Sequence, residues 1–84
     1  MPGDMIQYLI LTRRDDSCNM ARFYVLALEP SLFGDTALVR EWGRIGHSVQ
    51  RRLDLFATPE LAREALETWL RRKRRRGYVQ KVLT

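Results

Sequence analysis

The sequence predicts an α+β domain in which one long helix packs across a mainly antiparallel sheet of four or five strands. Three observations lead to this prediction. The first two thirds of the chain contain four segments rich in branched and aromatic residues, separated by polar or glycine-containing turns. From Thr58 onward, the apolar residues recur with the period of a helix instead of a strand. The length of 84 residues suits one modest core, so we expect a single domain over residues 1–84.

Two segments rich in branched and aromatic residues come first in the chain and are predicted as strands. They cover Met5–Thr12 and Arg22–Leu28, with a polar turn over Arg13–Ser17 between them. The second strand is apolar on both faces, which predicts a central position in the sheet. The segment Glu29–Asp35 contains proline, glycine and aspartate, and we expect it to be the loop of a hairpin that leads to the third strand.

The third predicted strand, Thr36–Ile45, contains a flat aromatic ring between two cations. Alternation along a strand places the following residues on one face: Leu38, Arg40, Trp42 and Arg44. An indole between two guanidinium groups suits a sugar, a base or a phosphate, because apolar surface and hydrogen-bond donors are held on rigid backbone. The alternative is a partly buried tryptophan with solvated arginines. A fourth strand is predicted over Gln50–Phe56, and only one of Arg51 and Arg52 can share the face of Trp42.

The predicted helix begins at a clear start signal. Thr58 is a hydroxyl N-cap, Pro59 occupies the first helical position, and Glu60 is acidic in the first turn. A continuous apolar stripe follows, formed by Leu61, Ala62, Ala65, Leu66, Trp69 and Leu70. We expect Trp69 to be a core residue, Gly77 to end the helix in a left-handed conformation, and Tyr78–Leu83 to return to the sheet as a short strand.

Positive charge is concentrated in one segment, Arg71–Arg76. The chain has a net charge of +5 and this run contributes six cations, so the remainder has nine basic and ten acidic side chains. The helix dipole accounts for one or two cations at a helix C-terminus, whereas six in succession indicate a polyanionic partner. The six side chains point in different directions around the helix, so we expect three or four of them to contact phosphate.

The sequence offers few groups for catalysis or for metal binding. Cys18 is the one cysteine and His47 the one histidine, and the carboxylates form no recognisable acid–base pair. We therefore expect no enzyme activity, no cofactor and no metal. A single cysteine suits a reducing compartment, and there is no leader-like or membrane-spanning apolar segment, so we expect a cytoplasmic location without membrane association.

An ordered set of motifs resembles the WGR domain family, which is named after its Trp-Gly-Arg tripeptide. The matching positions are Asn19, Arg22-Phe23-Tyr24, Trp42-Gly43-Arg44-Ile45-Gly46, Gln50, the helix from Thr58, and Lys73 to Tyr78. The resemblance spans about residues 5–83, which sets the expected core of the domain. Two departures are Val49, where the family usually has glycine, and the arginines at the end of the helix.

The resemblance implies a role in binding DNA. In poly(ADP-ribose) polymerases this module helps to detect strand breaks, and its tryptophan packs on the sugar or base at an exposed 5′ end. Stand-alone copies also occur in bacteria, and we expect this chain to be one. The nucleic-acid-binding residues that the resemblance implies are Asn19, Arg22, Arg40, Trp42, Arg44, Lys73 and Tyr78. The cationic run adds Arg71, Arg74, Arg75 and Arg76 to the predicted set.

The leading hypothesis is thus a non-catalytic module that binds the phosphate backbone of DNA, with Trp42 stacking at an end, a nick or an unpaired nucleotide. The alternative is a protein-interaction adaptor that docks an acidic partner domain. Single-stranded nucleic acid is a third candidate ligand, since stacking on an aromatic ring tolerates any base.

Overall fold

A computed structural model describes residues 7–15, 20–31 and 33–81 of the chain. The elements in chain order are β1 Gln7–Asp15, β2 Met20–Pro30, β3 Thr36–Arg44, β4 Val49–Phe56, α1 Pro59–Arg75 and β5 Val79–Lys81. The strands form one antiparallel sheet in the order β4-β3-β2-β1-β5, and α1 packs against it. The predicted α+β class and the central position of β2 are confirmed.

Strands β1 and β2 pair as a hairpin, and their pairing continues into the segment that the sequence predicts as a polar turn. Arg13 lies opposite Arg22 and the pairing continues to Asp15 opposite Met20, where we expected a polar turn from Arg13 onward. Continued pairing satisfies the backbone N–H and C=O groups of these polar residues, so the ladder extends beyond the apolar segment. At the other end of the hairpin, β2 continues to Pro30, which lies opposite Thr36 of β3.

The helix begins and ends where the sequence predicts. The Thr58 hydroxyl oxygen accepts a hydrogen bond from the Leu61 amide at 3.2 Å, and Pro59 occupies the first helical turn. Gly77 follows the C-cap residue Arg76 with a φ of +97°, a conformation that favours glycine. The last predicted strand is present as β5, which pairs with β1. Residues 82–84 lie outside the described residues.

The hydrophobic core lies between α1 and one face of the sheet. Its buried members are Leu11, Tyr24, Leu26, Leu28, Leu38, Ala62, Leu66 and Tyr78. Trp69 is half-buried and packs against this cluster, as predicted for a core residue. The opposite face of the sheet has no helix on it among the described residues, and we call it the open face. Its inner side chains Val25 and Val39 are nevertheless buried, whereas Leu53 at the edge is exposed.

Candidate nucleic-acid interface

A cleft of about 540 Å³ lies where β2 and β3 continue past the C-terminal end of α1. Two cross-strand pairs form its floor, Tyr24 opposite Trp42 and Arg22 opposite Arg44. The complete lining is Arg13, Arg22, Tyr24, Trp42, Gly43, Arg44, His47, Ser48, Gln50, Lys73, Arg76 and Tyr78. Four strands or their turns and the end of the helix thus contribute to one concave surface.

The charge of the cleft has one sign. Its cations are Arg13, Arg22, Arg44, Lys73 and Arg76, and none of the described residues that line it is a carboxylate. Arg22 lies directly opposite both Arg13 on β1 and Arg44 on β3. Like charges at directly opposed positions of a sheet repel each other. An anion in the cleft would reduce this repulsion, so the charge of the cleft is suited to a polyanion.

Aromatic rings form the rest of the cleft floor. Trp42 stacks on Tyr24 with ring centroids 5.7 Å apart and planes 17° apart, an offset arrangement. Tyr78 meets Tyr24 edge-on, with centroids 6.3 Å apart. Trp42 is half-buried, so it combines a fixed position with surface accessible from the cleft. This is the combination that stacking on a base or sugar requires.

Arg40 lies in the interior, whereas the sequence places it among residues that contact a ligand. Its exposed fraction is 8%, and its guanidinium carbon lies 4.1 Å from the centroid of the Trp69 ring. Its Nη1 donates a hydrogen bond of 3.1 Å to the Tyr24 hydroxyl, and its Nη2 lies 3.6 Å from Asp54 Oδ2. Arg40 does not line the cleft, because the Trp69 ring packs on its guanidinium, and its assignment as a nucleic-acid contact stays a prediction. Arg40 therefore holds the Tyr24 ring of the aromatic floor in place through its hydroxyl.

Lys73 extends from α1 over the aromatic floor. Its Nζ lies 4.3 Å from the ring centroid of Tyr24 and 5.6 Å from that of Tyr78. Desolvation lowers the pKa of Lys73 from its ordinary 10.5, and nearby cations, Arg76 first among them, lower it further. Burial also raises the pKa of the Tyr24 phenol, against the effect of its hydrogen bond with Arg40. Lys73 is thus an ammonium group surrounded by rings and by other cations.

The six basic side chains of Arg71–Arg76 separate as the helix turns. Lys73 and Arg76 line the cleft, while Arg74 donates a hydrogen bond of 3.0 Å to the Gln80 amide oxygen. Arg71 points to Thr68, with 3.5 Å between its Nη2 and the hydroxyl. A second concavity beside the cleft is lined by Trp69, Arg72, Lys73, Arg75 and Arg76. The number of these cations that contact phosphate stays a prediction.

The tripeptide glycine has a steric role. A Cβ atom on Gly43 would lie 2.8 Å from the Ser48 carbonyl oxygen, closer than side chains tolerate. The turn that follows contains Gly46 with a φ of +90°, and the Ile45 amide donates a hydrogen bond of 3.0 Å to the Ala21 carbonyl. This tight connection holds Trp42 and Arg44 at the mouth of the cleft.

The structure brings together most of the site residues that the sequence suggests. Arg22, Trp42, Arg44, Lys73, Arg76 and Tyr78 line one cleft. Asn19 lies outside the described residues. Sequence reasoning missed Arg13, which it assigned to a turn. The alternation of Leu9, Leu11 and Arg13 along one strand face was the signal that could have found it.

The described part of the chain has neither a cluster of metal-ligating side chains nor a helix that could span a membrane. Residues 7–15, 20–31 and 33–81 contain no group of three or more His, Cys, Asp or Glu side chains arranged for a metal ion. The helix found within these ranges is not suited in length and apolar character to crossing a membrane.

The comparison with known families agrees with the cleft and its tripeptide. Residues 7–83 match the family model described as "WGR domain". The chain belongs to the WGR domain family. It is also 47% identical over 70 residues to the "Uncharacterized protein y4dW" of Sinorhizobium fredii (strain NBRC 101917 / NGR234). The aligned segment covers 83% of this chain and 34% of that relative, so the chain spans about a third of the length of the protein it matches. The expectation of a stand-alone, single-domain protein stays a prediction.

Proposed function

We propose that this WGR domain is a non-catalytic DNA-binding module that binds the phosphate backbone in its cleft and stacks an end, a nick or an unpaired nucleotide on Trp42. The observation that carries the proposal is the composition of the cleft, in which five cations surround an aromatic floor. WGR domains of poly(ADP-ribose) polymerases generally bind nucleic acid, which supports the same ligand class.

The proposed contacts divide into two kinds. Arg13, Arg22, Arg44, Lys73 and Arg76 would bind phosphate oxygens, because guanidinium and ammonium groups offer several donors to them. Trp42 would bind the sugar or base at the point where stacking in the duplex is interrupted. Because α1 is packed on the sheet, we assign it no role in reading bases in the major groove. The binding should therefore depend little on sequence.

The proposal makes affinity strongly dependent on salt. If each of the five cations in the cleft neutralises one phosphate, the slope of log K against log salt is about −4.5 for duplex DNA. Stacking on Trp42 adds a contribution that salt does not screen, so the fold preference for an open end should persist as salt rises.

The decisive experiment is fluorescence-anisotropy titration of a short duplex with a free 5′-phosphorylated end, beside the same duplex closed by hairpins. Wild-type protein should bind the open duplex more tightly, with the difference persisting as salt rises. Trp42→Ala should reduce affinity for the open end by roughly 5- to 150-fold, since one stacked base contributes about 1–3 kcal/mol. Binding to the closed duplex should change little.

A matched control is Phe33→Ala, which removes an exposed aromatic ring from the loop at the other end of β2 and β3. Phe33→Ala should leave the affinities for the open and the closed duplex unchanged. Trp42→Phe keeps an aromatic ring and should retain part of the preference for the open end. Equal binding of open and closed duplexes by wild-type protein would reject end recognition and leave a general polyanion site. Absence of DNA binding at low salt would reject the proposal. The cleft would then be assigned to binding an acidic protein partner.

A further inference from the structure

The outer edge of β4 has the chemistry of an interface. β4 is one of the two edge strands of the sheet, and among the described residues it pairs with β3 alone. On the open face it exposes Val49, Leu53 at 49% and Leu55 at 55%. Soluble proteins usually protect a long edge strand with charges, proline or a bulge. β4 has the charges of Arg51, Arg52 and Asp54, but it also exposes three apolar side chains on one face, and this combination suggests a partner strand of matching charge.

The charges on β4 select one symmetric partner register. Consider two antiparallel β4 strands related by a two-fold axis perpendicular to the sheet. The two α1 helices then lie on the same side of the combined sheet, and one residue of β4 lies directly opposite the same residue of the partner strand. Two such registers pair nearly the whole strand, one centred on Arg52 and one on Leu53. Centring on Arg52 brings two guanidinium groups face to face. Centring on Leu53 places Arg52 opposite Asp54 of the partner subunit, and this favourable pair occurs twice.

We propose that two copies of this chain form a dimer through antiparallel β4–β4 pairing centred on Leu53. Leu53 then contacts the partner's Leu53 on the open face. Arg51 lies beside the partner's Leu55, and its charge is already compensated by Glu41, whose Oε2 is 3.7 Å from Arg51 Nε. Asp54 is partly exposed beside Arg40 and its second oxygen is available to Arg52 of the partner subunit.

The dimer has one continuous sheet of ten strands, because each copy contributes five. Both clefts open on the same side of that sheet, since the axis is perpendicular to it. The proposal depends only on β4 and does not require that the cleft bind DNA.

Sedimentation velocity of the full chain over a range from micromolar to several hundred micromolar tests the dimer. Wild-type protein should change from monomer to dimer with rising concentration. Arg52→Glu places two carboxylates opposite each other at both pairs, and should raise the dimer dissociation constant at least tenfold. Arg63→Glu makes the same charge change on an exposed position of α1 and should leave it unchanged. Circular dichroism checks that both variants fold.

Cysteine cross-linking tests the register in a Cys18→Ser background. With Leu53 on the axis, the two Cα atoms at this position lie about 4.5–5.5 Å apart, within the range of a disulfide. Leu53→Cys should therefore form a covalent dimer on oxidation. Leu55→Cys is the matched control on the same face, because its two copies are four residues apart along the strand, or roughly 13 Å.

Three results would overturn the proposal. One is a monomer at every concentration. Another is a dimer that Arg52→Glu and Arg63→Glu affect equally. The last is cross-linking of Leu55→Cys as readily as Leu53→Cys, which would show a different register.

Discussion

The face of the sheet beneath α1 has two ends that share the same strands and hold opposite chemistry. At the apolar end, Leu28 and Leu38 lie opposite each other and are buried under the helix. At the basic end, Arg22 and Arg44 lie opposite each other and line the cleft. The strand alternation is uninterrupted between them. The two ends differ because α1 covers only one of them. The side chains under the helix form the core, and those beyond its C-terminal end line the cleft.

Arg40 lies at the boundary between the two ends. It is adjacent to Leu38 along its face of β3, yet its guanidinium reaches the Tyr24 hydroxyl and packs on Trp69. A charged group at this point connects the rigid core to the cleft floor. The two ends should therefore respond differently to substitution, and Arg40 should affect both.

The largest expected effect is at the apolar end. Leu38→Ala removes a fully buried side chain and should lower the free energy of unfolding by about 2–5 kcal/mol. Urea denaturation followed by circular dichroism measures this. Arg44→Ala, on the same strand face, is exposed and should change stability by less than about 0.5 kcal/mol while weakening DNA binding. Similar losses of stability in the two variants would contradict the division into two ends.

An intermediate effect is expected at the boundary. Arg40→Ala leaves the Tyr24 hydroxyl without its donor and Asp54 without its cation, and should cost about 2 kcal/mol of stability. The cost is moderated because Asp54 remains partly exposed to water. The same variant should reduce preference for open DNA ends, since Trp42 stacks on Tyr24. Unchanged end preference in folded Arg40→Ala protein would show that the floor does not need this support.

The smallest effect is a pH dependence at the basic end. Phosphate stabilises the ammonium form of Lys73, so its pKa is higher in the complex than in the free protein, where it is lowered from 10.5. The complex then binds more protons, and affinity for DNA should fall a few-fold as pH rises through the lowered pKa. Anisotropy titrations from neutral pH to below pH 10 measure the slope. In Lys73→Arg that fall should disappear; a slope equal to wild type would assign the titration to another group.

Stability should respond to pH in the opposite direction. The unfolded chain binds more protons at Lys73 than the folded chain does between the lowered pKa and 10.5. The contribution of Lys73 to the free energy of unfolding therefore rises with pH in that window. The Tyr24 phenol has a raised pKa, so its contribution falls only once the pH passes 10, the ordinary pKa of tyrosine.

Periodicity was enough to predict the strands, the helix and the face shared by Trp42 and Arg44. The helix termini were predicted because Thr58 and Gly77 each have a local conformational role. Strand ends were less accurate, since the pairing of Arg13 with Arg22 is a cross-strand property that neither segment shows alone. Hydrophobicity marks where a strand is buried, and hydrogen bonding decides where it ends.

The burial of Arg40 could not be predicted from β3 alone. Its cover comes from Trp69, a residue far along the chain whose position depends on how the helix crosses the sheet. The sequence shows which residues share a face, but a face is divided into core and surface only when another element packs on it. The same reason explains why Arg71 and Arg74 point away from the cleft while Lys73 lines it.

The aromatic row across the cleft floor gives the protein an optical reporter of its own. The ring centroid of Tyr24 lies 5.7 Å from that of Trp42 and 6.4 Å from that of Trp69, and its ring is nearly parallel to both indoles. The chain has two tryptophans, one at the cleft and one against the core. Emission from Trp42 should shift when the cleft fills, and emission from Trp69 should shift when the helix separates from the sheet. In the unlabelled protein, Trp42 therefore responds to ligand in the cleft, and Trp69 responds to separation of α1 from the sheet.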